Sequence, residues 1–265
     1  MQIKTKALVV LSGGQDSTIC LYWARQRFDE VHAITFDYGQ RHAIEVHAAQ
    51  CVASLASVYS HEVIYVPDIL KSTSPLTSAS ELEQYENSAQ MESVIGSRIE
   101  TTFVPMRNMF FLTVAMNRAI ALGCDTVITG ICQSDNANYP DCTEAFRASL
   151  QDTVNGSLGL AGSVFALKIV APLMHMTKRD SVYMAQSMPG CMQALAYSHT
   201  SYDGKYPPTD MNHANVLRAQ GFEEAGVPDP LVMRAWSEGL MDLPKTANYS
   251  NLTFKTILGI REAKS

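Results

Sequence analysis

The sequence predicts an α/β fold, a doubly wound, Rossmann-like parallel sheet followed by a small helical lobe at the C-terminal end. Two observations lead to this prediction. Short apolar runs alternate with helical segments through most of the chain, and a glycine-rich loop follows the first run directly. Continuous apolar runs are typical of strands that are buried on both faces, and their alternation with helices favours a parallel sheet.

The predicted elements follow one another in a regular order. The strands are expected at residues 7–11, 31–36, 62–66, 125–130 and 166–171. The helices are expected at residues 17–28, 43–57 and 109–122. The last of these has the clearest helical pattern, and Asn108 and Gly123 are suited to cap its two ends.

Two stretches interrupt the alternation. Residues 71–98 are polar and rich in Ser and Glu, so they are expected to form a long loop or a mobile insertion. From Met188 onward the strand pattern stops, and short helices are expected instead. The chain is therefore predicted to consist of a main α/β domain over residues 1–187 and a small helical lobe over residues 188–265.

Composition and charge exclude several classes of protein. The 265 residues carry a net charge of −6 and no basic run, which is not typical of proteins that bind a nucleic-acid backbone. No apolar stretch approaches the length that spans a bilayer, and the first strand begins at Ala7, which leaves no room for a signal peptide. The six cysteines are scattered without a CxxC pair, as in reduced proteins. We therefore expect a cytoplasmic protein with no membrane partner and no direct nucleic-acid partner.

The loop between the first strand and the first helix has the composition of an anion-binding site. Residues 12–17 are Ser-Gly-Gly-Gln-Asp-Ser. The glycines allow backbone N–H groups to face inward, and the helix N-terminus adds its dipole and its free donors. Ser12, Ser17 and Thr18 add hydroxyl donors. The loop is not a Walker P-loop, because the spacing and the lysine of that motif are absent.

Polar segments recur at the edge of the sheet where this loop lies. They follow or lie near the carboxyl ends of predicted strands, at residues 35–42, 102–108, 129–142 and 172–178. In a doubly wound sheet, ligands bind beyond the carboxyl ends of the strands. One ligand pocket that all these segments share is therefore expected.

The loop resembles the SGGxDS loop of the N-type ATP pyrophosphatases, or PP-loop enzymes, which grips pyrophosphate. Further motifs make the resemblance specific: VVLSGGQDST, EVHAITFDYGQRH, TFVPMRN, VITGIC…D…YPDC, PLM…K and LRAQGF. Their order and spacing are similar to those of the QueC family of 7-cyano-7-deazaguanine synthases, over roughly residues 6–222. The resemblance implies a PP-loop ATP pyrophosphatase fold for the main domain.

The family's chemistry implies ATP and Mg²⁺ as cofactors and 7-carboxy-7-deazaguanine as substrate. The substrate carboxylate is adenylated with release of pyrophosphate, and ammonia then displaces AMP to give an amide. A second ATP dehydrates the amide to the nitrile. The resemblance also implies a homodimer.

The resemblance and the chemistry of the side chains indicate three groups of site residues. The expected catalytic residues are Asp16, which would hold Mg²⁺ through the phosphates, and Arg107 and Lys178, which would offset phosphate charge. The expected ATP-binding residues are Leu11, Ser12, Gly13, Gly14, Gln15, Asp16, Ser17, Thr18, Phe36, Arg107, Asn108, Gly130 and Lys178. The expected substrate-binding residues are Tyr38, Gln40, Arg41, Asp135, Tyr139 and Asp141.

The expected substrate-binding residues are chosen because they could bind the edge or the face of the base. A deazaguanine presents an N–H/NH₂ edge, which the carboxylate of Asp135 or Asp141 can accept. Tyr38 or Tyr139 could stack on its face. Arg41 is a further candidate for a phosphate or a carboxylate.

The sequence departs from the family where a structural zinc site is expected. The family holds this zinc with four cysteines near its C-terminal end, and the corresponding positions are Ser201, Thr209, Asn212 and Asn215. None is a thiolate, so the sulfur site cannot form, and a zinc-free lobe held by packing is expected. Met106 also stands where the family usually has glycine.

This departure leaves alternatives open for the acceptor of the acyl group. A chain with an intact activating pocket and a rebuilt lobe could transfer the acyl group to a protein amine, as in deazaguanine–protein conjugation associated with antiviral defence. Another PP-loop amide ligase or thiolase is a second alternative. A non-catalytic nucleotide-binding regulatory subunit is the third, although such a subunit would not need Asp16, Arg107 and Lys178 together.

Overall fold

Five parallel strands form one sheet within the part of the chain that the computed structural model describes, residues 4–39, 44–133 and 138–250. The strands are β1 (Lys6–Val10), β2 (Glu30–Asp37), β3 (Ser60–Tyr65), β4 (Thr126–Ile128) and β5 (Lys168–Val170). Their spatial order is β3-β2-β1-β4-β5. The predicted doubly wound parallel sheet is confirmed, and each predicted strand is observed with small shifts of its ends.

Helices connect these strands and follow the last of them. They are α1 (Gln15–Arg25), α2 (Ile44–Leu55), α3 (Ser88–Ile95), α4 (Arg107–Leu122), α5 (Glu144–Ser157), α6 (Lys178–Ser187), α7 (Cys191–Leu195), α8 (His213–Glu224) and α9 (Pro230–Ser237). Short 3₁₀ turns are described at Pro140–Cys142 and Ala247–Tyr249. No helix of the described residues is long and apolar enough to cross a membrane.

Strands β1, β2 and β4 are buried on both faces, which explains the continuous apolar run of β1, whereas the edge strand β3 is largely exposed. Ala7 and Val9 of β1 belong to a core shared with α1, α2, α6 and α7. Leu8, between them, belongs to the opposite core with residues of α4 and α5. Successive side chains of a strand point to opposite faces, so a strand between two helical layers needs apolar residues at every position.

The strand order places a crevice at the centre of the sheet. From β1 the chain moves outward through β2 and β3, and it then crosses to β4 on the other side of β1. The connections that leave β1 and β4 therefore run in opposite directions, and a gap opens beyond the carboxyl ends of these two strands. The glycine-rich loop after β1 lies at this position.

The start of α4 differs from the prediction. The helix begins two residues before the predicted range of 109–122, and Asn108 does not cap it. The preceding residue is Met106, which has a left-handed φ of 64° and makes no capping hydrogen bond. The cap is tertiary, because Asp141 Oδ2 accepts from the backbone N–H of Asn108 at 3.2 Å. Gly123 ends the helix with a φ of 71°, as predicted.

The interval predicted as a long loop, residues 71–98, includes a helix. Asn87 begins α3 by accepting a hydrogen bond from the N–H three residues later, at 2.9 Å. Met91 and Ile95 are buried and share a small apolar cluster with Val216 of α8. Met91 and Ile95 are four positions apart and therefore lie on one helix face. The polar composition of the surrounding residues made this helical pattern hard to detect in the sequence. Packing against a distant helix, rather than local pattern, stabilises the segment.

The residues after 187 do not have a separate core within the described structure. Cys191 and Leu195 of α7 and Phe222 of α8 belong to the same cluster as Val9 and Ile19 of the main domain. The helical composition of this part agrees with the prediction. The boundary between main domain and lobe stays a prediction. We refer to the described residues 188–250 as the lobe.

Candidate active site

A cavity of about 610 Å³ lies beyond the carboxyl ends of β1 and β4. Its walls come from the loop after β1, the end of β2, the starts of α2, α4 and α6, the segment after β4 and the lobe. The predicted site residues on its walls are Leu11, Ser12, Gly14, Gln15, Asp16, Ser17, Phe36, Tyr38, Arg107, Asn108, Gly130, Tyr139 and Lys178. The fold thus brings together most of the residues that the motifs indicated, although their roles stay predictions.

An ion pair joins two of the expected catalytic residues. Lys178 Nζ donates to Asp16 Oδ2 at 2.6 Å, although 162 positions separate them in the chain. Asp16 is in the first turn of α1, and Lys178 is the first residue of α6. Thr177 and Asp180 form a capping box that sets the start of α6 and hence the direction of Lys178. The pair places one positive and one negative charge at the mouth of the glycine-rich loop.

The position of Lys178 depends on a glycine in the lobe. A Cβ at Gly221 would lie 2.7 Å from Lys178 Cβ and 3.1 Å from its carbonyl carbon. Helices α6 and α8 therefore pack with a closeness that only glycine allows at this point. The LRAQGF motif, which includes Gly221, thus helps to fix the position of Lys178.

Hydrogen bonds within the glycine-rich loop fix its shape. The hydroxyls of Ser12 and Ser17 lie 3.0 Å apart, and Ser17 Oγ also accepts from the N–H of Ser12 at 3.2 Å. Thr18 is fully buried, and its hydroxyl donates to the carbonyl of Gly14 at 2.8 Å. Thr18 and Gly13 are not on the cavity wall. In this structure Thr18 supports the loop from behind.

Arg107 occupies a second charged part of the cavity. It donates a hydrogen bond to the Tyr38 hydroxyl and has Tyr202, Tyr139 and Asp141 close enough to affect its charge. Burial disfavours the guanidinium charge, but these neighbours more than offset it, so the pKa of Arg107 is raised above its usual value. A fixed cation lined by hydroxyl groups is suited to bind a phosphate or a carboxylate.

Glu45 lies on the same cavity wall and has a shifted pKa. Burial raises the pKa of its carboxyl to about 7, although Arg107 acts in the opposite direction. Glu45 is in the first turn of α2. Near neutral pH this side chain therefore exists in both protonation states and can either donate or accept a hydrogen bond toward a ligand.

This shift predicts a pH dependence of stability. A carboxyl with a raised folded pKa binds more protons in the folded than in the unfolded chain, so its contribution to stability falls as pH rises from about 4.5 to about 7. We expect the variant Glu45→Gln to gain stability relative to the wild type between pH 5 and pH 8, by on the order of 1 kcal/mol. Urea denaturation at both pH values measures this. Glu224→Gln, at an exposed position of α8, is the control, and equal pH profiles for the two variants would contradict the expectation.

Four predicted substrate residues are not placed on the cavity wall. Gln40, Arg41 and Asp135 lie outside the described residues. Asp141 is buried, and its carboxylate and carbonyl both accept from Asn108, at 3.2 and 3.3 Å. Asp141 therefore orders the start of α4 in this structure. Its predicted contact with the base edge stays a prediction.

Sequence reasoning missed the part of the wall that the lobe supplies. His199, Thr200, Tyr202 and His213 line the cavity, as does Glu45 of α2. The backbone N–H of His199 donates to the carbonyl of Gly13 at 2.8 Å, so the lobe is attached directly to the loop. Glu45 lies three residues after the TFDYGQRH segment, and this proximity to a predicted site motif could have indicated it as a cavity residue. No sequence signal indicated the lobe residues, because no local pattern links them to a loop nearly 190 positions away.

Three of the four positions aligned with zinc cysteines surround one carboxylate. The side chains of Ser201, Asn212 and Asn215 all donate to Asp210. Ser201 and Asn212 are buried, and burial raises the pKa of Asp210. Within the described residues, no group of three His, Cys, Asp or Glu side chains is arranged to hold a metal. A hydrogen-bonded polar cluster occupies this region, and the expected zinc-free state, with Thr209 at the fourth position, stays a prediction.

Removal of the central carboxylate is expected to destabilise the lobe. In Asp210→Ala, Ser201, Asn212 and Asn215 lose their common acceptor, and loss of a hydrogen bond to a charged group costs about 1.5–3 kcal/mol. Ser201 keeps its bond to Asp203, and Asn212 keeps its bond to Ser201, so the losses are not fully additive. We expect a loss of about 2–4 kcal/mol in the free energy of unfolding, measured by urea denaturation. Asp242→Ala, at an exposed position, is the matched control. An Asp210→Ala variant as stable as this control would show that the cluster does not support the lobe.

Comparison with known proteins identifies the family. A family model described as "Queuosine biosynthesis protein QueC" matches residues 6–226. This chain belongs to the QueC family. The chain is 43% identical over 228 residues to the 7-cyano-7-deazaguanine synthase of Gloeobacter violaceus, across 85% of this chain and 95% of the relative. It is also 43% identical over 228 residues to the same enzyme of Laribacter hongkongensis, across 86% and 94%.

Membership of this family places the chain among enzymes. The named relatives are synthases, and the prediction of an ATP-dependent, ligase-type enzyme with a PP-loop is confirmed. Solved structures resemble the chain only distantly. A 4-thiouridine synthetase–RNA complex with bound ATP has a TM-score of 0.45 and 16% identity, across 89% of this chain and 53% of that one. A predicted tRNA methyltransferase subunit of Methanocaldococcus jannaschii has a TM-score of 0.41 and 15% identity, across 79% and 96%.

Proposed function

We propose that this chain uses ATP to adenylate the carboxylate of 7-carboxy-7-deazaguanine and transfers the acyl group to an amine. The observation that carries the proposal is a cavity in which the PP-loop, the Asp16–Lys178 pair and Arg107 meet. The names of the curated relatives support the identity of the base. The products would be AMP, pyrophosphate and a 7-amido-7-deazaguanine, with the nitrile after a second round.

The chemistry requires activation because a carboxylate has no adequate leaving group. A carboxylate oxygen attacks the α-phosphorus of ATP, and the bond between that phosphorus and the bridging oxygen breaks to release pyrophosphate. The amine then attacks the acyl carbon, the bond to AMP breaks, and the amine loses a proton. The protein needs to align the reactants and to neutralise phosphate charge. Lys178 at the loop and Arg107 across the cavity supply positive charge for this purpose.

The residues present fit a magnesium ion that is held mainly by the phosphates of ATP. Mg²⁺ is commonly bound by one or two carboxylates together with substrate phosphates. Asp16 lines the cavity at the first turn of α1 and would supply the carboxylate. The ion would neutralise charge on the departing pyrophosphate. Lys178 already bonds this carboxylate, so lysine and metal would share it.

Release of pyrophosphate that depends on the substrate tests the proposed function. The chain is incubated with ATP and Mg²⁺, with and without 7-carboxy-7-deazaguanine, and with ammonia. We expect pyrophosphate and AMP only when the carboxylate is present, and amide or nitrile detected by mass spectrometry. Tight ATP binding without pyrophosphate release would contradict the proposal and would favour a regulatory nucleotide-binding subunit.

The lobe favours a second candidate for the acceptor, a protein amine. The lobe forms one wall of the cavity through His199, Thr200 and Tyr202, and the Asp210 cluster lies beside this wall. A change there alters the entrance that an acceptor would use. Mass spectrometry of cell-extract proteins after incubation with the chain, ATP and substrate would detect an acylated lysine or N-terminus. Efficient nitrile formation from ammonia, with no labelled protein, would eliminate this candidate.

A further inference from the structure

Thr200 of the lobe is part of the wall of the ATP cavity, although it belongs to none of the motifs of the PP-loop. It follows α7 and lines the cavity beside the start of α1. Its Oγ1 accepts the backbone N–H of Gln15 at 3.3 Å. Gly14, the N-cap residue that precedes α1, has no side chain that could cap the helix. Thr200 therefore caps the PP-loop helix from 185 positions away.

The same oxygen accepts a second hydrogen bond from a buried arginine. Arg218 Nη1 donates to Thr200 Oγ1 at 2.9 Å. A hydroxyl oxygen has two acceptor positions and one proton. Both donors, a backbone amide and a guanidinium, are unable to accept, so they occupy the two acceptor positions and leave the hydroxyl proton for another partner. No described residue accepts this proton in the hydrogen bonds of the structure. The cavity is where it can find an acceptor.

Arg218 is held so that this arrangement is rigid. Its guanidinium forms a bidentate pair with Asp229 through Nε and Nη2, at 2.6 and 2.8 Å. Nη2 also donates to the Leu195 carbonyl at 3.1 Å, and Nη1 donates to Ser198 at 2.9 Å as well as to Thr200. These five hydrogen bonds equal the five N–H groups of a guanidinium. A charged donor polarises the hydroxyl that accepts from it, which makes that hydroxyl a stronger donor.

We propose that the Thr200 hydroxyl donates a hydrogen bond to the diphosphate of ATP, oriented by Arg218 and by the N–H of Gln15. The inference rests on the proposed function, because it assumes that the cavity takes ATP with its diphosphate at the PP-loop. Thr200 adds to the loop a donor that comes from the lobe. Because the donor is already oriented before ATP binds, little reorganisation accompanies its contact with the phosphate.

Two substitutions at Thr200 and one at Ser198 separate this role from a structural one. Thr200→Val removes the hydroxyl, and Thr200→Ser keeps it. Ser198→Ala is the matched control, because Ser198 accepts from the same Arg218 nitrogen at the same 2.9 Å but is buried away from the cavity. Calorimetric titration with inorganic pyrophosphate, ATP and AMP measures the three affinities for each variant, and circular dichroism measures the melting temperature.

The expected result is specific for the diphosphate. Thr200→Val should bind pyrophosphate and ATP about tenfold more weakly, as for loss of one hydrogen bond to a charged group, and should bind AMP as the wild type does. Thr200→Ser and Ser198→Ala should keep all three affinities within about twofold. If Thr200→Val does not fold, Thr200→Ala takes its place in the same comparison.

Two other results would overturn the assignment. Equal losses in Thr200→Val and Ser198→Ala would show that both act through Arg218 alone, and an unchanged pyrophosphate affinity in Thr200→Val would show that the hydroxyl does not contact the diphosphate. A wild-type chain that binds neither ATP nor pyrophosphate would instead refute the proposed function, and the assignment would fall with it.

Discussion

Replacement of Gly13 by alanine is expected to destroy the PP-loop. Gly13 has a φ of +88°, in the left-handed region that L-residues rarely adopt. A Cβ there would lie 2.4 Å from the carbonyl oxygen of Glu45 and 2.7 Å from the backbone nitrogen of Ala49, both in α2. Backbone atoms of a packed helix cannot move aside as a flexible side chain does. We expect a loss of about 3 kcal/mol or more in stability and a loss of pyrophosphate release.

The control for this variant separates the clash from the backbone conformation. Gly239 has a φ of +73°, and a Cβ there would meet nothing within 4 Å. Gly239→Ala should therefore lower the free energy of unfolding by only about 1–2 kcal/mol, the cost of a left-handed backbone in a non-glycine residue. It should leave activity unchanged. Urea denaturation and a pyrophosphate assay compare the two variants. If Gly13→Ala is as stable and as active as Gly239→Ala, the close contact between the loop and α2 is not required.

Replacement of Lys178 by methionine is expected to reduce turnover with little effect on folding. Methionine keeps the length and most of the packing of lysine but removes the charge that lies 2.6 Å from Asp16. A preorganised charge at a developing or departing anion is worth roughly 10²–10³-fold in rate. We expect kcat for pyrophosphate release to fall by about that factor. The melting temperature should change by only a few degrees, because one side of the pair faces the cavity.

The neighbouring residue provides the control for Lys178. Arg179 is the next residue of α6, is about half exposed, and forms an ion pair with Asp180 outside the cavity. Arg179→Met removes the same charge from the same helix turn, so both variants change the overall charge equally. We expect Arg179→Met to retain wild-type kcat. Similar losses in the two variants would show that overall charge, and not the position of Lys178, controls the rate.

The local sequence was sufficient to predict the parallel sheet and the glycine-rich loop. The run at residues 7–11 is apolar at every position because both faces of β1 are covered, and this pattern is visible without knowledge of the partners. The loop was recognisable because its glycines and hydroxyls are adjacent in the chain. Arg107 and Lys178 were found through motif resemblance, since nothing local distinguishes either from a solvated cation.

Other features depend on partners that the local pattern does not show. α3 is polar in composition, and only Val216 and Leu217 of α8 reveal why Met91 and Ile95 are buried. Asn108 is a residue type that often caps helices, but here Asp141 caps α4 by accepting a hydrogen bond from the backbone N–H of Asn108. This happens because the two segments meet in the folded chain. The same holds for the polar cluster of the lobe, where the folding of one loop brings three side chains onto a common carboxylate acceptor.

The sequence by itself determined the α/β class and the position of the PP-loop, because both depend on residues that are close together in the chain. It also determined the family, through several short motifs that are each recognisable locally. The tertiary structure alone decided how the lobe completes the site. The Asp16–Lys178 pair, the contact of Gly221 with α6 and the bonds of Thr200 to Gln15 and Arg218 all join segments far apart in the chain. The physical reason is that such contacts arise from the packing of α6 against α1 and of α8 against α6, and no periodicity of a single segment encodes that packing.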